Sequence, residues 1–201
     1  MSIPDINVDL FRMINNLGKE ITYLNSTMVF IAEYLVFFLA LAVLIFWFTR
    51  RHENRIMIIC ASITFFSAVI VGKLAGKIHS NNQPFAELSN VNQLIGHAVD
   101  NSFPSDHTIL FFSFCMTIFL FKRKAGLLWI GLAILVGFSR IWVGVHYPGD
   151  VIVGALISIM FAVIIYFTMK ESTPIKKILA LYEKGEQLIL PKHYKNKSRS
   201  R

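Results

Sequence analysis

The sequence predicts an all-α protein, a polytopic membrane helix bundle with about five spans and short interfacial helices. Of its 201 residues, 55% are hydrophobic and only 16% are charged, a balance that soluble domains rarely show. Several apolar runs reach the length of about 20 residues that a helix needs to cross a bilayer. Polar residues gather between those runs, so we interpret residues 1–201 as a single membrane domain.

Residues 1–24 are predicted to form a helix that lies on the membrane surface. Asp5 and Asp9 stand where a signal peptide would be basic. From Asp9 onward, Leu10, Ile14 and Leu17 share one helical face. An amphipathic surface helix is therefore expected before the first span.

Five apolar segments follow, and each is predicted to span the membrane. Their approximate bounds are residues 25–49, 56–77, 107–121, 125–145 and 151–169. The longest loop, residues 78–104, is polar and contains no Lys or Arg. Residues 170–201 form a basic tail, in which four apolar positions suggest another surface helix: Ile175, Ile178, Leu179 and Tyr182.

The distribution of basic residues predicts the orientation. Three Lys or Arg follow the first span, three follow the third and nine lie from Lys170 onward, whereas the opposite side carries only Arg12 and Lys19. The positive-inside rule then places the C-terminus in the cytoplasm and residues 101–107 and 146–150 outside. Anionic lipid explains the net charge of +8, and nucleic-acid binding is not expected, because the basic residues are juxtamembrane.

Residues 139–150, with the sequence SRIWVGVHYPGD, place three functional groups where an apolar segment meets water. Arg140 can hold a phosphoryl group with its planar fork of donors. His146 can act as a nucleophile, and Asp150 can fix its tautomer. The alternative is an interface loop that carries these residues by chance.

Residues 101–107, with the sequence NSFPSDH, are predicted to begin a helix on the same side. Ser102 or Ser105 can cap that helix, and a helix start favours anions. Ser105 adds a hydroxyl donor, and His107 can protonate a departing oxygen. No cluster with metal-ligand spacing accompanies them, so no metal or other cofactor is expected.

These two segments resemble the second and third motifs of the type 2 phosphatidic acid phosphatase superfamily, written P-S-G-H and S-R-x5-H-x3-D. The third motif is matched without a gap by Ser139, Arg140, His146 and Asp150. In the second motif Asp106 stands where glycine is commoner.

The first motif of that superfamily, K-x6-R-P, is poorly kept. Gln83 replaces the arginine before Pro84, and Lys73 and Lys77 straddle the position of the motif lysine. Glu33 is the acid of the first span, and it is interpreted either as a functional residue or as a carboxylate that reaches the headgroups. We expect Glu33 to pair with Lys73 and to offset the missing arginine.

More narrowly, the segments HSNNQPF and DNSFPSDHT, the length and the five-span layout resemble bacterial undecaprenyl-diphosphate phosphatases of the BcrC type, which are linked to bacitracin resistance. The resemblance implies a multi-pass protein of the bacterial plasma membrane that recycles the cell-wall lipid carrier. It implies attack by His146, protonation of the leaving group by His107 and orientation of His146 by Asp150. The substrate-binding residues would be Arg140, Ser105, Ser139, Lys73, Lys77 and Gln83.

Two other functions remain open. One is a phosphatase for another lipid phosphate, such as phosphatidylglycerol phosphate or diacylglycerol diphosphate, because specificity lies in cavity walls between spans. The other is a permease component of a bacitracin exporter without catalysis. That function leaves the clustered Arg140, His146, Asp150 and His107 without a purpose. The sequence predicts no oligomeric state.

Overall fold

A computed structural model describes residues 2–189, and every regular element among them is helical. A 3-10 turn, Thr22–Leu24, separates the first two α-helices. The eight α-helices are α1 (Ile3–Glu20), α2 (Asn25–Phe48), α3 (His52–Ile78), α4 (Pro84–Glu87), α5 (Asp106–Phe121), α6 (Arg123–Trp142), α7 (Pro148–Met169) and α8 (Thr173–Ile189). The predicted all-α class is thereby confirmed.

Helices α2, α3, α6 and α7 are long and apolar enough to cross a membrane, and α5 is a shorter apolar helix. With 16 residues, α5 is roughly 24 Å long at the usual helical rise. It lies at the centre of the bundle, packed against α3, α6 and α7. Buried residues such as Phe111, Cys115 and Ile118 line it. The layout agrees with about five spans, and the molecule is a multi-pass membrane protein.

Helix α2 lies at the edge of the bundle and exposes many large apolar side chains. Phe37, Leu44 and Phe48 are each more than half exposed. Its buried residues, such as Ile31 and Leu39, face α5 and α6 through the main core. A helix with one thin buried stripe and an otherwise apolar surface is suited to contact lipid.

The N-terminal helix, Ile3–Glu20, lies within the predicted residues 1–24 and packs on the bundle. It begins at Ile3 because Ser2 and Asp5 form a capping box. Phe11 is fully buried against Tyr147, with 5.5 Å between ring centroids. Asn15 donates to the backbone oxygens of Asn92 at 2.9 Å and Trp142 at 2.8 Å. Thus α1 covers the end of the bundle where α6 ends and α7 begins.

Helix α8 lies at the opposite end, as the predicted surface helix of the tail. Its Leu179 is buried in a cluster with residues of α3 and α7. Arg55, buried on α3, forms ion pairs with Glu186 at 2.7 Å and Glu183 at 3.4 Å. The last part of the predicted tail, residues 190–201, lies outside the described residues.

Candidate active site

The segment between α6 and α7 brings His146 to the end of the bundle. The sequence predicted that the fourth span would continue to about residue 145, but α6 ends at Trp142. Gly144 has φ +87°, and a Cβ there would lie 2.9 Å from the backbone oxygen of Asn92. Glycine tolerates this left-handed conformation and close approach. The turn therefore stops α6 and directs His146 into the protein.

Asp150, in the first turn of α7, is held by several donors. Its Oδ2 accepts the backbone N–H of Tyr147 at 2.9 Å and the hydroxyl of Ser102 at 2.5 Å. The same oxygen lies 3.5 Å from Nδ1 of His146. Asp150 therefore lies close to His146, as the sequence predicted. Ser102 contacts both side chains and lies between them.

His146 is 6% exposed, and this burial lowers the pKa of its imidazole from the usual 6.5. The nearby Asp150 raises that pKa but does not outweigh the burial. A lowered pKa keeps the ring neutral at pH 7, as a nucleophilic imidazole needs to be. Ser102, at 3.1 Å from Nδ1, is the hydrogen-bond partner of the ring.

The start of α5 meets the start of α7, so the two motif segments lie together. The backbone N–H of Ser105 donates to the oxygen of Asp150 at 3.2 Å. Ser105 occupies the N-cap position, yet its hydroxyl makes no capping bond. That hydroxyl is buried without a hydrogen-bond partner among the described residues. Such a group is available to a bound ligand, because buried polar atoms are nearly always paired.

Arg140, near the end of α6, is only 2% exposed. One terminal nitrogen donates to the backbone oxygen of Ala32 at 3.1 Å, and Nε has no partner within residues 2–189. The guanidinium interacts electrostatically with Glu33, which is the residue after Ala32. A fixed cation with an unused donor suits a phosphoryl oxygen.

The expected pairing of Glu33 with Lys73 is wrong. Within the described part of the chain the two residues form no ion pair, and Glu33 instead influences Arg140. Helix α2 packs against both α6 and α3, and Glu33 lies near Arg140 of α6. Two charged side chains predicted on neighbouring spans need not meet, because the sequence does not specify which helix faces each of them.

His107, in the first turn of α5, lines a pocket of about 290 Å³ with Lys73 and Asp106. Its charge would interact with Arg140 and His146, so the three groups surround one region. The remaining walls of the pocket are apolar and come from α2, α3 and α5: Val36, Phe65, Val69 and Leu110.

Lys73 and Lys77 both line a second pocket of about 280 Å³, which also contains Asn101 and Asp106. Both lysines are exposed, and neither forms a hydrogen bond or ion pair with residues 2–189. Lys73 belongs to both pockets. Its ammonium group is therefore available beside His107.

Gln83, at the position of the missing motif arginine, is fully buried in the outer loop. Its amide donates to the carboxylate of Asp100, and its Oε1 accepts the backbone N–H of Asp100 at 3.0 Å. Both polar atoms of the amide therefore bind Asp100. These two hydrogen bonds, the Gln83–Asp100 clamp, connect the two parts of the outer loop. Ser139 likewise uses its hydroxyl locally, donating to the backbone oxygen of Val136 at 2.7 Å.

Sequence reasoning missed Ser102 as a member of the site and considered it only as a helix cap. The backbone N–H of Ser102 donates to the backbone oxygen of Asn81 at 2.8 Å. Asn81 lies near the start of the outer loop, so this hydrogen bond holds Ser102 in place from a distant part of the sequence. A serine three residues before Ser105 in the motif segment was the available signal. Among the described residues no group of three or more His, Cys, Asp or Glu could hold a metal ion, and the absence of a metal stays a prediction.

Comparisons with known proteins agree with this geometry. The chain is similar over its whole length to the "Bacitracin transport permease protein BcrC" of Bacillus licheniformis, with 52% identity over 201 residues, 100% of this chain and 99% of that protein. It is 34% identical over 161 residues to the "Undecaprenyl-diphosphatase BcrC" of Bacillus subtilis (strain 168), covering 80% of this chain and 83% of that protein. The crystal structure of LpxE from Aquifex aeolicus matches with a TM-score of 0.62 and 26% identity, over 82% of this chain and 98% of that one.

Residues 73–174 match the family model described as the PAP2 superfamily. This match spans α3 from Lys73, the outer loop, α5, α6 and α7, which carry the clustered His107, Arg140, His146 and Asp150. Sequence motifs, helix arrangement and site geometry thus lead to one conclusion: the chain belongs to the PAP2 superfamily of phosphatases.

Proposed function

We propose that this protein is a membrane phosphatase that hydrolyses undecaprenyl diphosphate to undecaprenyl phosphate and inorganic phosphate. The observation that carries the proposal is the buried His146, linked to Asp150 through Ser102 at one end of a multi-pass bundle, beside Arg140. The name of the Bacillus subtilis relative supports the substrate. The reaction would return the cell-wall lipid carrier to use and so confer resistance to bacitracin.

In the first step, Nε2 of His146 attacks the terminal phosphorus of the diphosphate. A phosphorus–nitrogen bond forms, and the bond from that phosphorus to the bridging oxygen breaks. His107 protonates the departing oxygen of the lipid phosphate. In the second step, the now neutral His107 takes a proton from water, the water oxygen bonds to phosphorus, and the phosphorus–nitrogen bond to Nε2 breaks. Inorganic phosphate leaves, and both His146 and protonated His107 are restored.

Arg140 and Ser105 stabilise the phosphoryl oxygens in both steps. Each has a buried donor without a partner within the described residues, so neither must break a protein bond to bind. Preorganised donors of this kind lower the barrier most where charge develops. Ser139 contributes indirectly, because its hydroxyl is bound within α6.

Lys73 and Lys77 replace the charge of the missing motif arginine. Their exposed ammonium groups line the two pockets beside His107 and Asp106. They would hold the second phosphate of the substrate and steady the leaving group. Gln83 acts at a distance, by holding the outer loop through Asp100.

The pocket shared by Lys73 and His107 favours a lipid substrate over a soluble one. Its polar end holds these two residues and Asp106, and its other walls are apolar. It lies between α2, α3 and α5, so a hydrocarbon chain bound there would extend into the bilayer. We place this end of the bundle outside the cell, because the basic residues gather at the other end.

Two alternative functions are distinguished from this one by a single experiment. Another lipid phosphate, such as phosphatidylglycerol phosphate or diacylglycerol diphosphate, would bind the same phosphoryl groups. The printed name of the Bacillus licheniformis relative suggests a permease component instead. A permease would not need a buried histidine hydrogen-bonded to Ser102.

The test is release of inorganic phosphate by purified protein in detergent, with undecaprenyl diphosphate offered beside phosphatidylglycerol phosphate and diacylglycerol diphosphate. We expect the highest kcat/KM with undecaprenyl diphosphate and no phosphate release by His146→Ala. The His52→Ala variant, at the opposite end of the bundle, is the matched control and should keep wild-type turnover. Unchanged turnover by His146→Ala would refute the phosphohistidine, and a wild-type protein inactive on all three lipids would favour the permease.

A further inference from the structure

We propose that Ser102 is a positioning residue that carries the coupling between Asp150 and His146. The inference rests on the proposed function, in which His146 is the nucleophile. It adds a third member to the pair of side chains that the sequence motif contains. The bridge would select the reactive tautomer of His146 and stabilise its positive charge during the reaction.

The distances favour a bridge over a direct contact. Nδ1 of His146 lies 3.5 Å from Oδ2 of Asp150, beyond the usual range of about 2.7–3.2 Å for an N–H···O hydrogen bond. Oγ of Ser102 lies 3.1 Å from that Nδ1 and 2.5 Å from that Oδ2. The serine oxygen therefore makes both of the close contacts.

The direction of each hydrogen bond follows from the number of protons present. An ionised carboxylate only accepts, so Ser102 donates its single hydroxyl proton to Asp150. The oxygen of Ser102 is then left to accept, and Nδ1 of His146 must supply the proton. This arrangement leaves Nε2 with a free lone pair. Nε2 has no hydrogen-bond partner among the described residues, as a nucleophilic nitrogen requires.

The surrounding loop fixes Ser102 in this position. The residue is fully buried, and its backbone N–H is bound to the oxygen of Asn81 at 2.8 Å. The clamp between Gln83 and Asp100 joins the same two parts of the loop. Burial excludes competing water, so the two hydrogen bonds act in a low-dielectric environment and are strengthened there.

No proton needs to move through Ser102. When Nε2 donates its electron pair to phosphorus, the imidazole becomes a cation that retains the proton on Nδ1. Asp150 stabilises that cation through the polarised hydroxyl of Ser102. Removing the hydroxyl should therefore slow formation of the phosphohistidine and leave substrate binding nearly unchanged.

The first experiment compares Ser102→Ala with the matched control Ser158→Ala in the phosphate-release assay. Ser158 is also a fully buried serine, and its hydroxyl donates to backbone oxygens of Gly154 and Ile109 away from His146. For Ser102→Ala we expect kcat to fall by roughly 10- to 100-fold, the effect of losing a buried hydrogen bond, with little change in KM. Ser102→Thr, which keeps the hydroxyl, should recover part of the rate, and Ser158→Ala should match wild type.

The second experiment tests whether Ser102 and Asp150 act in series. In a protein that already carries Asp150→Asn, adding Ser102→Ala should change kcat by less than about threefold, because the coupling is already broken. Losses that multiply would show that Asp150 reaches His146 without the serine, and would overturn the proposal. A kcat of Ser102→Ala equal to that of wild type would overturn it as well.

The third experiment observes the tautomer directly and does not depend on turnover. In protein labelled with 15N-histidine, His146 of the wild type should carry its proton on Nδ1, and Ser102→Ala should populate both tautomers. An unchanged tautomer in a folded Ser102→Ala protein would contradict the bridge. If the wild type hydrolyses no lipid phosphate, the proposed function fails, and the tautomer measurement alone decides on the bridge.

Discussion

Burial of His146 controls the protonation state in which this residue meets a substrate. Removal from water disfavours the imidazolium cation and lowers the pKa below 6.5, against a smaller opposite effect of Asp150. The neutral form, which has the lone pair, is therefore dominant at lower pH than it would be for a histidine in water. As the proposed nucleophile, His146 therefore needs no separate base to activate it.

We predict that the acid limb of kcat/KM for phosphate release is centred below pH 6.5, the pKa of an ordinary histidine. The sign follows because protonation, which removes the lone pair of His146, requires a pH below the lowered pKa. Asp150→Asn should move this acid limb to still lower pH, because Asp150 raises the pKa of His146. An acid limb centred above pH 6.5 would contradict the effect of burial.

Gln83 shows how a changed motif residue can take a structural role. Both polar atoms of its amide are bound by Asp100, and the side chain is fully buried. An arginine introduced there would have to fit a longer cation into this closed position. An arginine at this position would bind a phosphate only if its side chain faced the substrate, and the amide of Gln83 faces Asp100 instead.

Gln83→Ala is expected to destabilise the protein by about 1–3 kcal/mol, because it removes two hydrogen bonds to Asp100, one of them to a charged carboxylate. The measurement is the thermal unfolding midpoint in detergent. Gln93→Ala is the matched control, because Gln93 lies in the same outer loop, is exposed and donates to the nearby oxygen of Ile95. Equal midpoints for the two variants would show that the clamp does not stabilise the loop.

At the residue level, the motif spacing identified His107, Arg140, His146 and Asp150, which the structure brings to one end of the bundle. It could not identify Ser102 as a bridge or Asp100 as the partner of Gln83. Those contacts join loop residues that are 44 and 17 positions apart, and hydropathy carries no information about such pairs. The same reason explains the wrong partner for Glu33.

At the level of elements, hydropathy predicted each span to within a few residues. The errors lie at helix ends, where local polar chemistry decides. The capping box of Ser2 and Asp5 begins α1 at Ile3, and the left-handed Gly144 ends α6 near Trp142. The docking of α1 was not predicted either, because Phe11 and Asn15 contact residues that are distant from them in the sequence.

Truncating Phe11 should release α1 from the bundle. Because Phe11 is fully buried against Tyr147, Phe11→Ala is expected to weaken docking by about 3–5 kcal/mol. Amide hydrogen exchange in α1 should become much faster while α5 remains protected. Met13→Ala is the control, since Met13 is 62% exposed, and exchange equal in both variants would show that α1 is not held by this contact.

At the scale of the whole molecule, the two ends of the bundle have different chemistry. One end carries His146, the outer loop and α1, and the other carries α8 and the ion pairs of Arg55. Because the long apolar helices between them are able to cross a membrane, these two ends lie on opposite sides of it. The charge asymmetry of the sequence predicts that the end with His146 faces outward.

The orientation is tested by cysteine labelling in intact cells. We expect Ser89→Cys to react with an impermeant thiol reagent and Lys184→Cys to stay unlabelled until the cells are opened. Both positions are exposed, and Ser89 is preferred to Asn90, whose φ of 60° favours asparagine. The native Cys60 and Cys115 are fully buried and should give little background. The opposite labelling pattern would place the site in the cytoplasm.

The pocket that joins Lys73 to His107 lies between spans, with its apolar walls on α2, α3 and α5. A lipid that enters there never has to leave the bilayer, so its search for His146 takes place in two dimensions. The reaction rate then depends on the mole fraction of substrate in the membrane and not on its amount per volume of solution. Dilution with inert lipid would slow the protein, whereas dilution with buffer would not.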